Sequence, residues 1–272
     1  MNKMVITCAI TGAETTKEHN PNLPVTPEEI AQGAYDAYKA GASILHLHVR
    51  DEDGNPTQDV EVFKKAIKLI REKCDIVIEV TTGGAVGMSL EERLQPLELE
   101  PEMASLDCGT CNFGDDYIIN TLPMMKEAAT KMKEKGVRPT LECFDVSHID
   151  ASKILIKEGL VEPPFHYGLV LNVPAAVKYD TETLDFFVRR LPEGAYCTVI
   201  GVGGRASLQS NLTATAMGLF IRVGFEDNVY FSRGVLAESN AQLVERAARI
   251  AKEGGLELAT PDDVRELFKL RK

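Results

Sequence analysis

The sequence predicts an α/β fold, a (β/α)8 TIM barrel with a short C-terminal helical extension. Three observations carry that expectation. Eight apolar, strand-like runs recur along the 272 residues. Stretches with helical spacing lie between most of them. No linker or composition break divides the chain, so residues 1–272 are expected to form a single barrel domain. Barrels of this kind usually take about 250 residues. A doubly wound open sheet is the alternative for an alternating pattern, and the even count of eight runs favours closure.

The strand-like runs are 5–10, 44–49, 76–80, 103–106, 140–144, 167–171, 197–202 and 219–223. The first helix is the best marked. Thr26 suits its N-cap, Pro27 its first position, and Glu29 completes a capping box. Ile30, Ala34, Ala37 and Tyr38 recur at helical spacing, and Gly41 ends the run. Further helices are predicted at 59–73, 116–135, 150–158, 181–191, 207–217 and 238–253. The tail TPDDVRELFKL adds a short helix capped by Thr260 or Asp262.

Composition narrows the function classes. The chain is 44% hydrophobic and 26% charged, with a formal net charge of -11. That balance argues against a dedicated nucleic-acid binder, which usually shows a basic face. Local arginines can still hold a small anion. The N-terminal run MNKMVITCAITG lacks a secretory cleavage pattern, and no stretch of about 18 apolar residues predicts a membrane span. Of the six cysteines, Cys8, Cys108, Cys143 and Cys197 lie in or beside strand-like runs and read as small buried side chains. Cys108 and Cys111 form a single CxxC with no second pair to complete a zinc ribbon. A reduced, cytoplasmic setting is expected.

The stretch HLHVRD raises the functional question. Strand side chains alternate between faces. Ile44, His46 and His48 therefore share one face, and Leu45, Leu47 and Val49 the other. The leucines claim the outer, helix-packed face. The imidazoles then point inward near the C-terminal end of the strand, where barrel enzymes keep their active sites. Two converging imidazoles can hold a divalent metal. Pattern alone leaves the third ligand open among Glu79, Asp107, Glu142, His166 and Glu226.

Other loops on that rim carry chemistry. TGAETT brings Glu14, and TTGG (81–84) offers paired hydroxyls and flexible backbone N–H groups for a carboxylate. GVGGR (201–205) leads into a helix at a place where barrels often bind phosphate. The eighth run carries Arg222 and ends in GFEDN (224–228). GVGGRA also matches a dinucleotide fingerprint, but too few residues follow it for a dinucleotide domain. Met124, Met125 and Met132 read as packing residues, and KEKG and RRLPEG as solvated helix ends.

AITGAETT, PNLPVTPEEIA, HLHVRD, TTGGAVG, PEMASL, NFGDD, RVGFEDN, AESNAQLV and LATP follow one another in this order. On these motifs the chain resembles the β-keto acid cleavage enzyme family over essentially its whole length. The resemblance implies a zinc-bearing barrel, usually a homotetramer. It also implies exchange of an acyl group, in which a β-keto acid and acetyl-CoA become acetoacetate and a new acyl-CoA. It places zinc on His46, His48 and Glu226, and proton transfer on Asp227 and Arg222 with Glu142 behind them. It assigns Glu14 to the amino end of an aminated substrate such as 3-keto-5-aminohexanoate, an intermediate of lysine fermentation. Thr82, Gly83 and Gly84 match the loop for the substrate carboxylate, Ser105 and Asp107 the substrate rim, and Gly204 and Arg205 the loop near the CoA thioester.

The chain departs from relatives at Asp107, where they carry asparagine, and at Thr82, where some carry serine. It has Ala206 and lacks a proline at 209, where relatives often carry a ring residue and a proline nearby. Glu14 and Asp107 together are expected to make one end of the pocket anionic and select a cationic substrate. The competing readings are a zinc-dependent barrel aldolase or hydrolase that acts without CoA, and a non-catalytic metabolite-binding barrel.

Overall fold

Eight parallel strands close into a barrel in the computed structural model, which describes residues 3–271. They are β1 (Ile6–Ala9), β2 (Ile44–Leu47), β3 (Val77–Val80), β4 (Met103–Asp107), β5 (Arg138–Cys143), β6 (His166–Leu171), β7 (Tyr196–Gly201) and β8 (Phe220–Val223). Each pairs with its chain neighbours, and β8 closes on β1. Their Ile, Val, Leu and Cys side chains are buried. This suits parallel strands covered by helices on the outside.

A helix follows every strand: α1 (Pro27–Ala40), α2 (Val60–Lys73), α3 (Leu90–Arg93), α4 (Leu122–Lys135), α5 (Val146–Lys157), α6 (Thr181–Arg190), α7 (Gly204–Met217) and α8 (Asn240–Glu253). The α1 capping box forms as the sequence predicts, and Gly41 ends the helix at φ 116°. The C-terminal α9 (Pro261–Phe268) is capped by Thr260, so Asp262 is not the cap.

Two departures sit on the functional rim. The run 116–135 is not one helix. Asp116–Ile118 pairs antiparallel with Cys111–Phe113, and α4 begins only at Leu122. Gly114, at φ 68°, supplies the left-handed turn residue that this hairpin needs. After β3 the chain makes the one-turn α3, capped by Ser89 and Glu92, which the periodicity did not announce. Elsewhere α5 starts earlier than predicted because Asp145 caps it, and α7 starts at Gly204.

The barrel's two ends differ. At the N-terminal end α9 acts as a plug. The Phe268 ring packs 4.6 Å from that of His166 and edge-on to Tyr196, the first residues of β6 and β7. Arg265 ties α9 to Asp75 and Glu102, just ahead of β3 and β4. The cavity that matters opens at the other end.

Candidate metal and acyl-transfer site

His46 lies in β2 and His48 just past it, their ring centroids 5.3 Å apart. The His46 Nε2 is 3.6 Å from Glu226 Oε1, and the His48 Nε2 is 3.6 Å from Glu226 Oε2. The three ligand atoms all lie within 4.8 Å of one another. Glu226 Oε2 is buried and has no hydrogen-bond partner among the described residues. Burial pushes the His48 imidazole down to about 3, so the ring is neutral. Burial pushes Glu226 up, but Arg222, His46 and His48 outweigh it and hold the carboxyl at about 2. A neutral imidazole and an ionised carboxylate are the forms a divalent cation requires.

The approach of the β8 loop to β1 and the loop after it depends on two glycines. At Gly224, φ 140°, a Cβ would stand 2.1 Å from the Ala9 carbonyl oxygen. At Gly12, φ 70°, it would stand 2.6 Å from Glu226 Cγ.

The other candidate third ligands are engaged elsewhere. Glu79 meets the back of His46, Oε1 to Nδ1 at 2.8 Å, and its second oxygen accepts from Thr140. Asp107 faces Arg93 and Asn120. Glu142 accepts from Arg222. His166 sits deeper, between Thr140 and Thr198. A second close group, His46 with Glu79 and Glu142, is therefore already tied up by hydrogen bonds.

Beside Glu226 lies a buried ionic cluster. Arg222, 5% exposed, donates Nε and Nη2 to the two oxygens of Asp227, each at 3.0 Å, and Nη1 to Glu142 Oε1 at 2.9 Å. Its Nη2 also contacts Glu226. Burial pushes Glu142 up to about 8, with Asp107 and Glu79 adding to the rise and Arg222 and His46 opposing it. Burial raises Asp227 too, against Arg222. Both groups therefore hold a proton more tightly than an ordinary carboxyl.

The residues line a cavity of about 330 Å³, within the range of small-molecule sites. Its lining brings Glu14, Asp107, Glu142, Glu226 and Asp227 against a single guanidinium, Arg222. The opposite wall is apolar, built from Phe113 and Ile118 of the hairpin with Phe144, Val170, Val173 and Val202. Gly83, Gly84 and Ser105 line the polar side.

The remaining sequence-predicted residues fall in three places. Thr82 stands behind the wall, its hydroxyl donating to the Ser105 carbonyl at 2.6 Å, and Thr81 takes the lining position. Asp107 borders the cavity, where buried Arg93 faces it at 3.4 Å and compensates its charge. Gly204 and Arg205 are outside this cavity. They begin α7, and Arg205 borders an adjoining groove with Asn172, Tyr179 and Thr181.

Sequence reading missed two arginines. Buried Arg93 donates to the Thr82 carbonyl and to Asn120, holding the TTGG loop beside the rim. Buried Arg50 donates to the carbonyls of Gly12 and Thr15, each at 2.7 Å, and so clamps the loop that carries Glu14. The only signal for Arg50 is its place in HLHVRD, directly after the two histidines.

The sequence profile of the beta-keto acid cleavage enzyme family matches residues 3–270. The chain belongs to that family. This β-keto acid cleavage enzyme relative is 53% identical over 274 residues to a 3-keto-5-aminohexanoate cleavage enzyme of Fusobacterium nucleatum, covering all of both chains. It is 48% identical over 274 residues to a protein of the same name from Acetoanaerobium sticklandii, again with full coverage of both. A 3-dehydrocarnitine:acetyl-CoA trimethylamine transferase of Rhizobium meliloti is 36% identical over 297 residues, covering 100% of this chain and 98% of that one. Among solved structures, ObcA in ternary complex with a C4-CoA adduct and oxalate superposes with a TM-score of 0.81 at 18% identity, covering 92% of this chain and 68% of that one. At that identity the likeness establishes the barrel fold alone. No helix among the described residues of this family member is long and apolar enough to cross a membrane.

Proposed function

We propose that the chain exchanges acyl groups between 3-keto-5-aminohexanoate, or a similar aminated β-keto acid, and acetyl-CoA, at zinc held by His46, His48 and Glu226. The observation that carries this reading is the convergence of both imidazole Nε2 atoms on Glu226, beside the Arg222–Asp227 pair. The names of the two relatives at 53% and 48% identity support the substrate. Zinc bound there would act as a Lewis acid toward the keto and carboxylate oxygens and acidify the carbon between them.

The chain's own residues supply the rest. Asp227, held by Arg222 in a bidentate pair, removes a proton from that carbon. Glu142 holds the other side of the guanidinium and keeps Asp227 aimed. The carbanion attacks the acetyl thioester carbon, a C–C bond forms, and the CoA thiolate leaves. The thiolate then adds to the original keto carbon, and the bond between that carbon and the acidified one breaks. The new acyl-CoA departs, and Asp227 returns the proton to the acetoacetate carbanion. Ser105 accepts the Thr82 N–H at 3.1 Å, which leaves its own proton for a substrate oxygen. The apolar wall suits the thioester and its arm, and the groove at Arg205 lies on that side.

The Glu14 carboxylate meets the substrate ammonium in this reading. Glu14 is exposed at the rim, so the pairing is worth at most about 1 kcal/mol, roughly fivefold in KM. Glu14→Gln should raise KM severalfold for the aminated substrate and leave neutral β-keto acids unchanged. Equal effects on both would remove Glu14 from selection.

A homotetramer in the cytoplasm is part of the proposal. The hairpin Tyr230–Ser232 with Val235–Leu236 leaves Tyr230, Val235 and Leu236 exposed, an apolar face of the kind subunits bury.

The test is an acyl-exchange assay on metal-quantified protein with 3-keto-5-aminohexanoate and a panel of β-keto acids. Acetoacetate that forms only with acetyl-CoA supports the reading. One metal per chain without acetoacetate from any substrate would replace it with an aldolase or hydrolase.

A further inference from the structure

Beneath the site the barrel interior is polar where branched aliphatic residues usually fill it. Glu79 of β3, Thr140 of β5, His166 of β6 and Thr198 of β7 are each no more than 3% exposed. They form one unbroken chain of contacts. The His46 Nδ1 meets Glu79 Oε1 at 2.8 Å, and the other Glu79 oxygen meets the Thr140 hydroxyl. That hydroxyl is 3.0 Å from His166 Nδ1, and His166 Nε2 is 2.8 Å from the Thr198 hydroxyl.

Counting protons orients every link. A carboxylate only accepts, so both of its partners must donate. His46 therefore carries its proton on Nδ1, and its Nε2 lone pair faces Glu226 and His48. Thr140 has one hydroxyl proton and spends it on Glu79, so toward His166 it accepts. His166 then carries its proton on Nδ1, its Nε2 accepts, and Thr198 donates. The whole sequence of donors follows from one buried carboxylate.

We propose that Glu79, Thr140 and His166 are positioning residues that lock the tautomer and ring orientation of His46 for metal binding. The inference rests on the reading of His46, His48 and Glu226 as metal ligands. Burial pushes His166 down to about 4, which agrees with the neutral ring that the chain requires. Phe268 of α9 packs on the same ring at 4.6 Å, so the C-terminal plug holds the far end of the chain in place. Partners behind metal-bound histidines set the basicity and aim of the ring, and losing one typically costs about 10–100-fold in metal affinity.

Two measurements test this. The first is nitrogen-15 NMR of histidine-labelled, zinc-loaded protein. Both His46 and His166 should carry their proton on Nδ1 at neutral pH. A His166 protonated on Nε2 would overturn the chain. The second is zinc affinity by competition with a chelator. Glu79→Gln should weaken zinc binding by about 10–100-fold. Thr140→Val should weaken it in the same direction, and Thr140→Ser, which keeps the hydroxyl, should restore it. Wild-type affinity in Thr140→Val would overturn the proposal while leaving the metal site intact. A wild-type protein that binds no zinc would overturn the metal reading itself, and the two failures are thus told apart. Should Thr140→Val fail to fold, the tautomers in the wild-type protein still decide.

Discussion

Replacing His48 with alanine should remove the proposed zinc and abolish acetoacetate formation while the barrel stays folded. His48 has Glu226 and the His46 ring as its neighbours in the site and makes none of the backbone hydrogen bonds that close the barrel. Its loss leaves one imidazole and one carboxylate, too few ligands for a tight tetrahedral zinc site. The Lewis acid supplies several kcal/mol of transition-state stabilisation, so turnover should fall at least about 10³-fold. Metal content by elemental analysis, turnover and thermal unfolding would be read on the same sample. Metal-free protein with a near wild-type melting curve and no turnover is the expected result. Undiminished turnover would sink the metal assignment.

The second large effect is at Arg222. Its guanidinium lies among Asp227, Glu142 and Glu226, all buried or nearly so. Arg222→Met keeps the volume of the stem but leaves Asp227 and Glu142 without their cation. Breaking a buried pair in this way costs about 3–5 kcal/mol of stability, so chemical denaturation should show a large loss. Turnover should vanish with it. Asp227→Asn separates chemistry from folding. It removes the base yet leaves a polar partner for Arg222, so stability should change little while kcat falls about 10²–10⁴-fold. The double variant should be no slower than Arg222→Met, because residues that act as a unit do not add. An Asp227→Asn enzyme with wild-type kcat would move the proton transfer to another group.

The barrel was legible in the sequence because its cause is local. Alternation in ILHLHV puts leucines on one face and imidazoles on the other, and eight such runs with helices between them leave few ways to bury the apolar faces. The cap of α1 reads equally well from Thr26, Pro27 and Glu29. Where local signals compete, the pattern misled. The residues before Leu122 read as helix, but Gly114 and the facing residues 111–113 turn them into a hairpin that roofs the cavity.

The candidate site divides in the same way. The inward aim of His46 and His48 follows from strand alternation. Which acid joins them does not, because Glu79, Asp107, Glu142 and Glu226 are equivalent as residue types. Barrel closure places Arg93 on Asp107, Arg222 on Glu142 and Thr140 on Glu79, and it brings the Glu226 carboxylate to both imidazoles with its Oε2, beside His48, lacking a hydrogen-bond partner among the described residues. Thr81 and Thr82 are likewise identical on paper, and the path of the chain past β3 turns one to the cavity and ties the other to Ser105. Side-chain direction within a strand repeats every two residues and can be read along the chain. Charge pairing acts over a few ångströms between residues as far apart as 142 and 222, and those distances exist once the sheet has closed.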